Sequence, residues 1–197
     1  VPVSTATATI APSLTSLIPS ITPTATLFLT VVPTTTSDFC DSASWDVPWI
    51  ILGYDTFHAF GATSSEIDEQ LVLRNPQWQD FRQIVTTEPG TAGDVFVQGH
   101  GAPGEYGVNP SVLLVTVGMD LEWQIPSDGG LYSRVVETGK TLYAYYQDYY
   151  TQEDLRDAYP QIGNAATYSL YRFFDEDPNA LEKWCKNYQT MFGNPAR

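Results

Sequence analysis

Residues 109–121, NPSVLLVTVGMDL, decide the fold of this chain. Asn109 is a favoured helix-capping residue, and Pro110 fits the first helical position, where a missing N–H is harmless. Apolar side chains follow on nearly every face of the predicted helix, so the helix should run through the core and not along the surface. Gly118 would let a neighbour approach closely. We therefore expect a mainly α-helical domain built around this segment.

Periodic patterns on both sides predict the other helices. Ser64 is the predicted N-cap of a helix over 64–73, which ends near Asn75-Pro76 and has acids in its first turn. A short helix over 77–86 would bury four apolar side chains: Trp78, Phe81, Ile84 and Val85. Further helices are predicted over 131–147, 153–159, 164–174 and 179–191.

Length and charge exclude several classes of function. The chain has 197 residues, room for one domain and an appendage, and 23 acids against 9 bases give a net charge of -14. Such a charge repels phosphate backbones and anionic lipid surfaces, so we expect no nucleic-acid partner. The longest apolar runs are shorter than the ~18 to 20 residues of a membrane helix, so no membrane span is expected.

Residues 1–37 differ from the rest of the chain because they contain no charged residue or histidine. Eleven Thr, five Ser and five Pro suggest an O-glycosylated stalk. Yet the segment also carries ten large apolar side chains: Ile10, Leu14, Leu17, Ile18, Ile21, Leu27, Phe28, Leu29, Val31 and Val32. Residues 25–32 favour a strand, and the prolines favour extended backbone. We therefore predict an extended, strand-prone tail at 1–37 followed by a helical domain at 38–197.

The apolar side chains of the tail need cover, either in a groove of the tail's own domain or on a neighbouring copy. The neighbour is favoured because 37 extended residues reach up to ~120 Å, far beyond the ~15 to 17 Å radius of gyration of such a domain. Extended segments that dock on a partner are an established assembly mode. A head-to-tail contact that does not close produces a filament, so other copies of the chain are the predicted partners.

The two cysteines, Cys40 and Cys185, lie near the two ends of the helical domain. They can form a disulfide that joins its first and last parts, and the alternative is a pair of buried thiols. The chain begins at Val1 and not at Met, as expected after removal of a signal peptide. A secreted protein in an oxidising compartment, outside the cell or at its surface, accounts for both observations.

Two segments, 106–116 (YGVNPSVLLVT) and 164–172 (NAATYSLYR), carry a family resemblance. They resemble the lysozyme-like, lytic-transglycosylase-related domains of secreted bacterial proteins, and residues 64–68 are similar to an earlier short helix of that family. The resemblance covers roughly residues 62–192. It implies a lysozyme-like helical fold, an activity that cleaves peptidoglycan, and a catalytic Glu near the end of the helix that begins at Pro110.

The residue that matches this Glu is Asp120, so the catalytic position is degenerate. A general acid must come within about 3 Å of the glycosidic oxygen, and Asp is one methylene shorter than Glu. Glu122 is a weaker candidate because two helical residues point ~200° apart. The alternative is that both residues are solvated side chains at the end of the helix and have no catalytic role.

Other groups of residues are weaker candidates for a metal site or a sugar-binding site. His58 and His100 have no third ligand at zinc spacing, and residues 175–179 carry only half of the oxygen pattern of a calcium loop. The tyrosines of 143–150 could stack on sugar rings, but packing of their rings in the core or in an interface is the favoured explanation. We expect no metal and no cofactor.

Three hypotheses follow. The first is an extracellular structural subunit that self-assembles, as a filament, through its N-terminal tail on a lysozyme-like scaffold that has lost catalysis. The second is a peptidoglycan-cleaving muramidase or lytic transglycosylase, and the third is a non-catalytic module that binds cell-wall or surface glycan. The first ranks highest because it explains both the apolar tail and the missing Glu.

Overall fold

Helices dominate the computed structural model, which describes Cys40, residues 62–101, 107–159, Ile162 and residues 164–193. All of these belong to the unit Thr36–Arg197. The predictions for residues 1–37, with their ten apolar side chains, and for His58 lie outside the described residues.

The elements follow one another with short connections. In chain order they are α1 (Ser64–Arg74), a 3-10 helix (Pro76–Asp80), β1 (Gln83–Val85), β2 (Glu88–Gly90), α2 (Ala92–Gln98), α3 (Pro110–Asp120), α4 (Leu131–Thr151), α5 (Glu153–Ala158), α6 (Ala165–Phe173) and α7 (Pro178–Phe192). The mainly helical class predicted from the sequence is therefore confirmed.

Helix α3 forms the centre of the core, as predicted. The Asn109 side chain accepts a hydrogen bond from the Ser111 backbone N–H at 2.8 Å, and Pro110 occupies the first turn. Every residue from 110 to 118 is buried. Helices α2, α4 and α7 pack around α3, while α4 makes its largest contact with α6. On α7, the buried Trp184 donates its indole N–H to the Thr116 hydroxyl at 3.0 Å.

The start of α1 differs by one residue from the prediction. Thr63, and not Ser64, is the N-cap, and its N–H donates to the Glu66 carboxylate at 2.8 Å while its side chain accepts from the Glu66 N–H. This capping box satisfies two backbone donors at the helix end. The hydrogen bond from Thr63 lowers the pKa of Glu66 below its usual value.

The helix predicted over 77–86 is wrong beyond its first turn. Only Pro76–Asp80 is helical, as a 3-10 turn, and a hairpin follows in which β1 pairs antiparallel with β2. Trp78, Phe81 and Val85 are buried as predicted, but Ile84 is 73% exposed. Alternation along a strand sends Ile84 and Val85 to opposite faces, whereas one helical face would have buried both.

Helix α2 was not predicted, although it begins with a second capping box. Thr91 and Asp94 exchange hydrogen bonds there, and Asp68 of α1 accepts from the Gly93 N–H at 2.8 Å. A Cβ atom at Gly93 would lie 1.9 Å from the Ser64 carbonyl oxygen, so this glycine lets α1 and α2 pack backbone against backbone.

The predicted disulfide joins Cys40 to Cys185 on α7. Its Cα atoms lie 5.7 Å apart and it closes a sequence separation of 145 residues. Both cysteines are 1% exposed. The alternative of two free thiols is therefore wrong.

Candidate functional site

The end of α3 is the part of the fold in which the sequence placed candidate catalytic residues. The helix stops after Asp120 because Glu122 and Trp123 take left-handed backbone conformations, with φ of 49° and 61°. The Trp123 N–H donates to the Gly118 carbonyl at 2.7 Å and closes the turn. Such conformations cost free energy in residues other than glycine, so the surrounding contacts must hold this turn in place.

Gly118 and Trp123 supply those contacts. The indole of Trp123 covers Gly118 so closely that a Cβ atom at residue 118 would lie 2.3 Å from the ring. The carbonyl of Trp123 accepts hydrogen bonds from the Trp78 indole at 3.0 Å and from the Asn75 amide at 3.3 Å. The guanidinium of Arg74 lies 4.8 Å from the centre of the Trp123 ring. The turn is thus held by ring packing on Gly118, by two hydrogen bonds to the Trp123 carbonyl and by the Arg74 guanidinium.

A second turn of the same kind follows α6. Asp175 and Glu176 have φ of 53° and 63°, and the Glu176 N–H donates to the Tyr171 carbonyl at 2.8 Å. Asp177 then caps α7 by accepting a hydrogen bond from the Asn179 N–H at 2.9 Å. Here too, consecutive residues other than glycine adopt left-handed backbone at the end of a helix.

The two turns border one cleft of about 540 Å³, which we call the acidic cleft. Its lining residues are Met119, Asp120, Glu122, Phe173, Phe174, Asp175, Asp177, Asn179, Ala180 and Lys183. Four of them are carboxylates and one is an ammonium group. The described lining residues of the cleft thus combine aromatic rings, hydrogen-bond acceptors and a single cation.

Asp120 and Glu122 both line this cleft. Helical geometry separates two such residues by ~200°, but Glu122 lies beyond the end of α3, in the left-handed turn. Both side chains are exposed to solvent. A general acid in a glycosidase works from apolar surroundings, and the exposed Asp120 lacks such surroundings.

Of the other lining residues, Asp175, Asp177 and Asn179 belong to the half calcium pattern, and the rest carried no predicted site role. Phe173 and Phe174, whose ring centres are 5.3 Å apart, form the aromatic part of the cleft, and Lys183 is its cation. Two adjacent aromatic residues directly before the acidic stretch 175–177 were the available signal. Whether these two rings line a cleft depends on the turn at Asp175, and no periodic pattern in the sequence predicts that turn.

A second, open groove lies between α1 and α7 and measures about 770 Å³. It shares Asn179 and Lys183 with the acidic cleft, and its other cations are Arg74 and Lys186. Lys186 pairs with Glu182 at 2.6 Å, and both side chains are more than 40% exposed. An exposed ion pair of this kind contributes little to stability.

The metal and histidine candidates have simpler explanations in the described residues. Asp177 of the half calcium pattern is the N-cap of α7. No group of three or more His, Cys, Asp or Glu side chains in the described part of the chain could hold a metal ion. The Nδ1 atom of His100 is in hydrogen-bond contact with the Val97 carbonyl.

Comparison with known proteins finds no relative of this chain. No family model, curated protein or solved structure matches this chain, so the lysozyme-like resemblance rests on the sequence segments alone. Within the described residues, no helix has both the length and the apolar character needed to cross a membrane.

Proposed function

We propose that this protein is a secreted structural subunit that assembles with copies of itself through residues 1–37. The observation that carries the proposal is the composition of that segment, in which ten large apolar side chains occur without a single charge. Such side chains gain about 25 cal/mol for each Å² removed from water, so docking on a neighbour would be strongly favourable. Copies linked in this way form a filament when the contact does not close on itself.

The position of the disulfide suits a role of residues 1–37 as an assembly arm under mechanical tension. Cys40 follows the tail by three residues in the sequence and is bonded to Cys185 in the core-facing part of α7. A pull on residues 1–37 therefore passes through the sulfur atoms to α7. Residues 41–184 form the covalently closed loop. The arm is therefore attached to the core of the domain at α7 as well as through the chain that follows Cys40.

Deletion of residues 1–37 tests the proposal. We expect filaments of the full chain in electron micrographs, whereas residues 38–197 should sediment as a monomer with an unchanged melting temperature. Within the full chain, Leu27→Ser with Leu29→Ser should weaken assembly. The matched control, Thr26→Ser with Thr30→Ser, should leave it intact. Assembly of the truncated domain, or its collapse, would contradict the proposal.

A second candidate function is binding of cell-wall or surface glycan in the acidic cleft. Phe173 and Phe174 favour it, because aromatic rings pack against the apolar faces of sugars while carboxylates and the Asn179 amide bond hydroxyl groups. The family resemblance supports the same ligand class. Under this proposal Asp120 and Glu122 are ligand-binding residues, whereas in the glycosidase alternative Asp120 is the general acid.

Co-sedimentation of the full chain with insoluble peptidoglycan tests the cleft. We expect Asn179→Ala, in the cleft, to weaken binding about tenfold, the equivalent of roughly 1.4 kcal/mol. Asn187→Ala is the matched control, since Asn187 also lies on α7 but lines only the neighbouring groove. Equal binding by both variants would rule out the cleft as the glycan site.

A further inference from the structure

Six tyrosines of the described domain form a continuous chain of ring contacts, which we call the tyrosine chain. Its members are Tyr146, Tyr150, Tyr149, Tyr168, Tyr159 and Tyr171, in the order in which they touch. Successive ring centres lie 5.2, 5.9, 5.5, 5.6 and 5.9 Å apart. The chain connects α4 with α6 and includes part of a small core separate from the main one.

Exposure changes sharply along the tyrosine chain. Tyr168 is 2% and Tyr149 is 9% exposed, whereas Tyr150 is 59% exposed. Burial raises the pKa of Tyr146 to about 12, so this phenol holds its proton firmly. At Tyr150, in contrast, the exposed ring can meet another molecule.

We propose that Tyr150 is an oxidative cross-linking site, at which the phenol joins the phenol of a neighbouring copy to form dityrosine. The oxidant class is hydrogen peroxide used by a haem peroxidase. Each tyrosine loses one electron and its hydroxyl proton, and the two radicals form a carbon–carbon bond between ring carbons ortho to the hydroxyl-bearing carbon, the Cε positions. The hydrogen on each of these carbons then moves to oxygen and restores the ring. Peroxide takes up the two electrons and two protons and becomes two waters.

The ring contacts distinguish Tyr150 from an ordinary exposed tyrosine. Tyr146 and Tyr149 both meet its ring in edge-to-face arrangements, at 65° and 87°. Until its hydroxyl proton leaves, a ring that has lost an electron is positively charged, and an aromatic neighbour that turns its face toward the ring attracts this charge. Tyr132 lies on the same helix and is 37% exposed, but it belongs to no ring contact among the described residues. It is therefore a natural internal control.

The site is tested on the full chain with haem peroxidase, hydrogen peroxide and excess tyramine, a small phenol that removes the need for a second copy. Mass spectrometry of peptides measures tyramine adducts at Tyr150 and Tyr132. Exposure alone, 59% against 37%, sets a ratio of about 1.6. We expect about tenfold more adduct at Tyr150 because of its ring neighbours.

A pair of variants separates the ring contact from other causes. Tyr146→Leu removes the aromatic neighbour and should bring the adduct ratio down to the value set by exposure. Tyr146→Phe keeps the ring and should retain the preference for Tyr150. Tyr150→Phe should remove the adduct there and leave the adduct at Tyr132 unchanged. Adducts that follow exposure in the wild type, or that are insensitive to Tyr146→Leu, overturn the proposal.

The cross-link itself rests on the proposed self-assembly, because a neighbouring copy supplies the second phenol. Without tyramine, assembled full chain should give dimers that resist denaturant and contain dityrosine, and Tyr150→Phe should give none. Abundant adducts at Tyr150 in assembled protein, together with no Tyr150 dimers, would overturn the cross-link between copies. The same protein seen as monomers before oxidation would instead contradict self-assembly.

Discussion

Removal of the disulfide is the perturbation with the largest calculable effect on this domain. Cys40→Ala with Cys185→Ala opens a loop whose ends are 145 residues apart. In the chain-entropy account, this loop length corresponds to about 5 kcal/mol of stabilisation, through restriction of the unfolded chain. Small proteins are typically stable by only ~5 to 15 kcal/mol, so the double variant should retain a much reduced margin.

Guanidinium unfolding followed by tryptophan fluorescence measures the effect, since Trp78 and Trp184 are both buried. We expect the unfolding free energy to fall by about 5 kcal/mol and the melting temperature by roughly 10 to 20 °C. The dependence on denaturant should become steeper, because the unfolded chain without the crosslink exposes more surface.

Reductant provides the control for this experiment. It should bring the wild type close to the double variant, apart from the small loss of packing at the two buried alanines, and leave the variant unchanged. A variant within about 1 kcal/mol of the wild type would refute the entropic argument. Two alkylatable thiols in the native protein would refute the disulfide itself.

Four further predictions concern single side chains. Asn109→Ala should cost about 1 kcal/mol of stability by calorimetry through loss of the α3 cap, whereas Asn109→Asp should retain the cap. Gly118→Ala places a methyl group 2.3 Å from the Trp123 ring and should destabilise by about 1 to 3 kcal/mol, with altered tryptophan fluorescence. Burial raises the pKa of Tyr188 to about 12. The contribution of the protonated phenol to the free energy of unfolding is therefore complete below the pKa of about 10 that tyrosine has in the unfolded chain, and it is lost as pH rises through 12. In chemical unfolding experiments, Tyr188→Phe should flatten this loss of stability at alkaline pH. The full chain should not clear a peptidoglycan suspension, and Asp120→Ala should leave assembly unchanged; lysis that Asp120→Ala abolishes would establish the glycosidase.

The parts of the fold that could be predicted from the sequence are those with local signals. Asn109-Pro110 predicts the first turn of α3, because an amide side chain replaces a missing backbone acceptor and proline sets φ. The uniformly apolar sequence of α3 also predicts its burial on all sides. For α7, the capping residue is Asp177 and Pro178 occupies the first turn, close to the predicted start at residue 179.

Segments whose structure depends on distant partners were not predicted. Trp78, Phe81 and Val85 have the spacing of one helical face, but a 3-10 turn followed by a strand buries the same three residues. A hydrophobic pattern of ten residues cannot distinguish these two structures. Helix α2 has only seven residues, too few for a clear periodic pattern. It can pack against α1 only because Gly93 has no side chain.

The acidic cleft is the clearest case in which the sequence supplies residues but not their arrangement. The prediction that Asp120 and Glu122 diverge is correct for a continuous helix, and α3 is not continuous at that point. Because Gly118 has no Cβ atom, the Trp123 indole can fold back over the helix, and the chain leaves the helical path after Asp120. The carbonyl of Trp123 then binds Trp78 and Asn75, which tie this turn to the segment that follows α1. The cleft is therefore coupled to the contact of Asn75 and Trp78 with the end of α3, so a methyl group at residue 118 should disturb ligand binding even though Gly118 itself does not line the cleft.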